Sequence, residues 1–147
     1  MGEDLADESK TVQQVFDSTL ESVDQAEHTA LDMARKAGFD EADLDRIGMS
    51  VRECMVNAVV HGNRYNSHKK VQFSVSRTSE NFTIKIADQG AGFDPGELPD
   101  PVEGENLFRQ SGRGIFLMKT FMDELHVRHL QPSGTEVTLV KRVVSKR

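Results

Sequence analysis

Tryptophan is absent, and the 147 residues hold one tyrosine, one cysteine and four prolines. A single cysteine, Cys54, excludes an internal disulfide and fits a reducing compartment. No apolar run approaches the ~20 residues that cross a bilayer, and no signal-peptide pattern opens the chain. The opening Met-Gly-Glu-Asp-Leu-Ala lacks the Ser or Thr that a myristoylation signal carries at its sixth position. Together these predict a cytoplasmic protein with no membrane partner. Basic residues are outnumbered, 18 Lys and Arg against 24 Asp and Glu, for a net charge of −6. That balance argues against a general nucleic-acid binder, which is usually basic. What remains is a soluble globular composition, 37% hydrophobic and 29% charged. The length suits one domain that buries about two thirds of its unfolded surface.

Residues 1–10 are acidic and aperiodic, which predicts a disordered lead-in, with a single domain over residues 11–147. A first strand is expected over residues 12–19. A helical pattern follows through Val23, Ala26, Ala30, Leu31 and Ala34, closed by Gly38. Asp40 suits the N-cap of a second, longer helix. The period then switches to two, with Val71, Phe73 and Val75 on one strand and Phe82, Ile84 and Ile86 on the next. Residues 94–111 are rich in Pro and Gly, and a loop that long within a compact domain is commonly a functional lid. A short helix from Gly114 to Phe121 and a hairpin around Pro132-Ser133-Gly134 complete the chain. The order predicts an α/β (α+β) two-layer sandwich, a mixed, mostly antiparallel sheet covered on one face by helices.

The second helix carries Glu53-Cys54-Met55-Val56-Asn57-Ala58-Val59-Val60-His61-Gly62. Residues four apart share a helix face. Leu44, Ile47, Val51, Met55, Ala58 and Gly62 form one face, read as the core side. Ser50, Glu53, Asn57 and His61 line another. A short Asn on a fixed helix suits a cation, and a Glu beside it suits a proton. Asp88 continues the apolar row Phe82, Ile84, Ile86, a costly place for a carboxylate unless a donor pairs with it. The exocyclic amine of a base is such a donor. Thr135 begins the inward row Thr135, Val137, Leu139, so its hydroxyl joins Asp88 on the covered side. After Asp88 come Gly90, Gly92 and Phe93, where the glycines allow close approach of backbone to a ligand. Gly112-Arg113-Gly114 precedes a helix, where exposed amides and the helix dipole suit phosphate. The chain lacks a P-loop pattern, and Leu117 stands where a dinucleotide fingerprint needs its third glycine.

Singly, each feature has a plainer reading. Glu53 and Asn57 could be a solvated stripe, Asp88 a loop-start residue, Gly112 and Gly114 an ordinary helix start, Arg113 a surface charge and Thr135 a strand start. Met118, Phe121 and Met122 at helical spacing read as core. Their order is more specific than any one of them.

Glu-x-x-x-Asn, then Asp-x-Gly-x-Gly, then Gly-x-Gly, then Gly-Thr resembles the GHKL superfamily of ATPases and kinases. Within it the pattern is most similar to the anti-sigma-factor serine/threonine protein kinases, the RsbW-like family. The resemblance implies a Bergerat-type ATP-binding fold with ATP/ADP and Mg²⁺ as ligands. It implies Glu53 as general base, Asn57 as the Mg²⁺ ligand, and Asp88 with Thr135 as the adenine subsite. Gly90, Gly92 and Phe93 would form the first glycine box, with Gly112, Arg113 and Gly114 holding phosphates and His61 near them.

The resemblance also implies partners: an anti-sigma-factor antagonist protein phosphorylated on serine, a sigma factor that is sequestered, and a second copy in a homodimer. The alternatives are an ATP-gated protein-binding module without phosphotransfer, or a slow ATPase.

Overall fold

The computed structural model describes residues 10–90 and 114–143. The lid expected at residues 94–111, together with Gly92, Phe93, Gly112 and Arg113, lies outside them, as do residues 1–9. Lys10, assigned above to the lead-in, already belongs to the first strand.

Strand β1 spans Lys10–Asp17 and helix α1 spans Leu20–Ala37. The strand ends two residues earlier than the pattern suggests because Thr19 is the helix N-cap, its hydroxyl accepting from Ser22 N at 3.3 Å. A capping hydroxyl satisfies one of the amides that a helix start leaves unpaired. Gly38 closes α1 with φ 96°, its N–H donating to the carbonyls of Ala34 and Arg35. A side chain there would be strained, which is why the helix stops at a glycine. Asp40 then caps α2, Glu41–Val56, accepting from Asp43 N at 2.9 Å.

The chain continues through a π turn, Asn57–Gly62, into β2 (Lys70–Arg77) and β3 (Asn81–Ala87). Helix α3 is Gly114–Phe121, and the final hairpin is β4 (Glu124–His129) with β5 (Thr135–Arg142). The five strands lie in the order β1-β2-β3-β5-β4, and every described pairing is antiparallel.

The period-two rows all face the helices. Val71, Phe73, Val75, Phe82, Ile84, Ile86, Val137 and Leu139 are buried against Val23, Ala26, Ala30 and Met33 of α1. Ile47, Val51 and Met55 of α2, with Met118 and Met122, complete the same cluster. The small side chains of Ala26, Ala30 and Ala34 on α1 are fully buried. Phe39 meets Phe82 edge-on, ring centroids 5.4 Å apart at 74°, an arrangement aromatic quadrupoles favour. This is the two-layer α+β architecture expected from the order of elements. It brings the C-terminal end of β3, the N-terminal end of β5 and the π turn to one place.

Candidate functional site

The α2 pattern predicts a straight helix through Gly62, but the backbone widens after Val56. Asn63 N donates to Ala58 O at 2.8 Å, five residues back, and Tyr65 N donates to Val59 O at 2.9 Å. Widened turns of this kind occur mostly as single insertions, often at functional sites. The widening changes the two faces assigned from sequence. Asn57, Ala58, His61 and Gly62, expected on two different faces, all line one cavity, while Ala58 is also buried in the core as its face predicts. Ser50, expected on the polar face, is 0% exposed, and among the described residues its Oγ has no hydrogen-bond partner. Helix α3 packs across α2, a long-range contact that helical spacing cannot reveal.

The cavity holds about 360 Å³, within the ~300–1,000 Å³ of small-molecule sites. Ala58, Ile86 and Val137 supply apolar walls; Asn57, His61, Asp88 and Thr135 supply polar groups. Four of the sequence-predicted site residues therefore converge from three elements. Glu53 lies one turn before Asn57 and is not part of the cavity lining. Its Oε1 is buried and, among the described residues, accepts no hydrogen bond, a costly state for a polar atom. Gly114 begins α3.

Asp88 is held from both sides. Its N–H donates to Thr135 O at 2.9 Å, and its Oδ1 accepts from Gly90 N at 3.0 Å and from Thr135 N at 3.3 Å. Among the described residues its Oδ2 accepts nothing. Burial pushes the Asp88 carboxyl above the usual carboxylate range, against the opposing pull of the two amides and of Lys69. The Cys54 thiol in the same cavity is pushed up by full burial, and further by the charges of Asp88 and Glu53, so it stays protonated.

Two glycines make this packing possible. A Cβ on Gly90 would fall 1.9 Å from the Gly62 carbonyl oxygen, and one on Gly62 would fall 2.3 Å from Asp88 Oδ2. The π turn and the Asp88–Gly90 segment thus touch backbone to backbone. Gly62→Ala is expected to displace the carboxylate and weaken ligand binding at least about ten-fold, the worth of one charged hydrogen bond. Titration of the variant with nucleotide checks this; unchanged affinity would mean that Asp88 does not contact the ligand.

Sequence reasoning missed Asn63, Arg64, Asn66 and Lys69, all of which line the cavity. Arg64 and Tyr65 adopt φ of 52° and 58°, uncommon for side chains of this size. An Asn directly after a glycine at a helix end is a signal that could have singled out Asn63. Lys69 carries no comparable local mark.

A family model described as "Histidine kinase-like ATPase domain" matches residues 16–141. The chain belongs to that family. Among its curated relatives is the serine-protein kinase RsbW of Bacillus licheniformis, 30% identical over 118 residues, covering 74% of this chain and 71% of that protein. Another is the anti-sigma F factor of Clostridium perfringens, 29% identical over 103 residues, covering 69% of this chain and 74% of that protein. A third is the anti-sigma F factor of Clostridium beijerinckii, 26% identical over 132 residues, covering 84% and 92%.

The solved structure of the RsbU and RsbW domains of a Mycobacterium tuberculosis protein has a TM-score of 0.64 at 17% identity, covering 93% of this chain. This chain spans 33% of that structure, and the likeness is one of fold. The resemblance drawn from the motifs, to RsbW-like anti-sigma-factor kinases, agrees with both the family and the names of these relatives.

Proposed function

We propose that this chain is an ATP-dependent serine/threonine protein kinase and anti-sigma factor. It phosphorylates a serine of an anti-sigma-factor antagonist and sequesters a sigma factor. The observation that carries the nucleotide reading is Asp88, a buried carboxylate with one oxygen fixed by backbone amides and the other left for a donor. An adenine amine matches it, with the Thr135 hydroxyl beside it and the planar base between Ala58, Ile86 and Val137. Names of relatives support the protein substrate and the sigma factor.

Asn57 fits Mg²⁺, since its amide oxygen is a hard donor and Mg²⁺ takes few protein ligands when phosphates supply the rest. When bound, the ion would neutralise charge on the phosphate oxygens. The chain's own residues do the remainder. Glu53 orients the substrate serine hydroxyl and takes its proton as the oxygen attacks the γ-phosphorus in line. The new O–P bond forms, the bond to the bridging oxygen breaks and ADP leaves. By the resemblance, Gly90, Gly92 and Phe93 would serve as the first glycine box, and Gly112, Arg113 and Gly114, with His61, would bind phosphates.

The retained Glu53 favours an enzyme over an ATP-gated module, because a pure binder needs no base beside the metal ligand. The same resemblance supports a cytoplasmic homodimer. None of the described helices is long and apolar enough to cross a membrane.

Incubation with Mg²⁺, γ-labelled ATP and small antagonist-like proteins of the same genome tests the reading. Label on a serine of one candidate, lost in Glu53→Ala, is the expected result. Nucleotide bound without transfer would favour the ATP-gated module, and phosphate release alone the slow ATPase.

A further inference from the structure

Asn63 is 1% exposed and lies where the π turn ends. Its side-chain amide makes three hydrogen bonds. Nδ2 donates to Ser18 Oγ at 2.9 Å and to Lys70 O at 3.0 Å, and Oδ1 accepts from Gln89 N at 2.8 Å. Ser18, 3% exposed, passes its own proton to Lys69 O at 2.5 Å. The Gln89 side chain returns to the same place, its Oε1 accepting from Lys70 N at 2.6 Å. One buried carboxamide therefore joins the β1–α1 junction, the start of β2 and the peptide directly after Asp88. The pattern also fixes which way the amide points, because a flip would set its oxygen against the Ser18 and Lys70 oxygens.

Asp88 is anchored on the β5 side through Thr135 and on the π-turn side by the Asn63 bond to Gln89 N. With the second anchor removed, Asp88 keeps its Thr135 and Gly90 bonds, but the peptide after it is tied only through the Gln89 side chain's bond to Lys70 N. A displacement of a few tenths of an ångström degrades a hydrogen bond that must meet a donor at a set place.

We propose that Asn63 is a positioning residue for base selection. Acting through the Gln89 amide, it sets Asp88 so that a 6-amino purine nucleotide is preferred over a 6-oxo one. The proposal rests on the reading that Asp88 accepts from the adenine amine. It assigns Asn63 no contact with phosphates or with the serine.

The experiment is competition binding of ATP and inosine triphosphate to wild type, Asn63→Ala and Ser18→Ala, each well below its melting temperature. Both nucleotides bind the same folded molecules, so their affinity ratio does not move with the fraction unfolded. Asn63→Ala is expected to lower the ratio about ten-fold, and Ser18→Ala, which removes one Nδ2 acceptor, about three-fold in the same direction. Lowered melting temperatures with the wild-type ratio retained would overturn the proposal and leave Asn63 a structural residue. If Asn63→Ala does not fold, an unchanged ratio in Ser18→Ala overturns it alone. A wild type without preference for ATP would instead sink the base-reading role of Asp88, and the selection role of Asn63 with it.

Discussion

Glu53→Ala is expected to lower phosphotransfer by about 10²–10⁴-fold, the usual worth of a positioned general base, with ATP affinity unchanged within a few-fold. The separation follows from geometry. Glu53 sits one turn from Asn57 yet lines none of the cavity, so its removal leaves the nucleotide's surroundings intact. Its buried, unbonded Oε1 is a cost to the fold that a reacting hydroxyl would offset. Glu53→Gln keeps the shape and removes the base, and it should lose transfer to a similar degree. Single-turnover transfer rates and nucleotide titrations of both variants check this. Loss of ATP binding in both would make Glu53 a structural residue and leave the chain without an assigned base.

Asp88→Asn is the second large expected effect, and it carries two opposite signs. The carboxamide can still accept from Gly90 N and Thr135 N, but it puts an N–H₂ where Oδ2 lies or, flipped, opposes those amides. A donor then faces the adenine amine, and ATP affinity should fall about 10–100-fold, the worth of a charge-assisted hydrogen bond.

Stability should move the other way. Burial raises the Asp88 carboxyl above its unfolded value, so the folded chain binds the extra proton in the window between the two. The contribution of Asp88 to stability is therefore greatest below the unfolded value and is lost as pH rises through the folded one. Above that folded value the ionised carboxylate destabilises, and there Asp88→Asn should melt at the same temperature or higher. In the wild type, ATP affinity should decline as pH falls through the raised value, and this decline should be absent in the variant. A variant that melts lower at every pH while binding ATP normally would contradict both halves.

The exchange of stability for binding at Asp88 also marks what a sequence reveals and what it hides. Gly38 and Asp40 act within a few residues of themselves, and the strand rows repeat every second residue, so those two caps, the strands and the α+β order were legible, whereas Thr19, read as the end of a strand, is a cap. Asp88 and Thr135 were legible because a polar residue ending an apolar row is a local contradiction. Burial of Ser50 was not, since helical spacing does not show which elements pack across a helix. Nor was the π turn, because a single widened turn has no repeat to read. Asn63 joins residues 18, 70 and 89, and contacts so far apart in sequence leave no spacing pattern. Asn57, His61, Asp88 and Thr135, singled out by sequence, line one cavity, while the packing around them had to come from three dimensions.

The central claim is that one cavity holds Mg-ATP with its base on Asp88 and its phosphates toward Asn57 and Glu53. A crystal structure with Mg²⁺ and a non-hydrolysable ATP analogue tests it most directly. The account predicts the adenine amine within about 3 Å of an Asp88 carboxylate oxygen and the metal on the Asn57 amide oxygen. A base bound away from Asp88, or a metal held without Asn57, would contradict it.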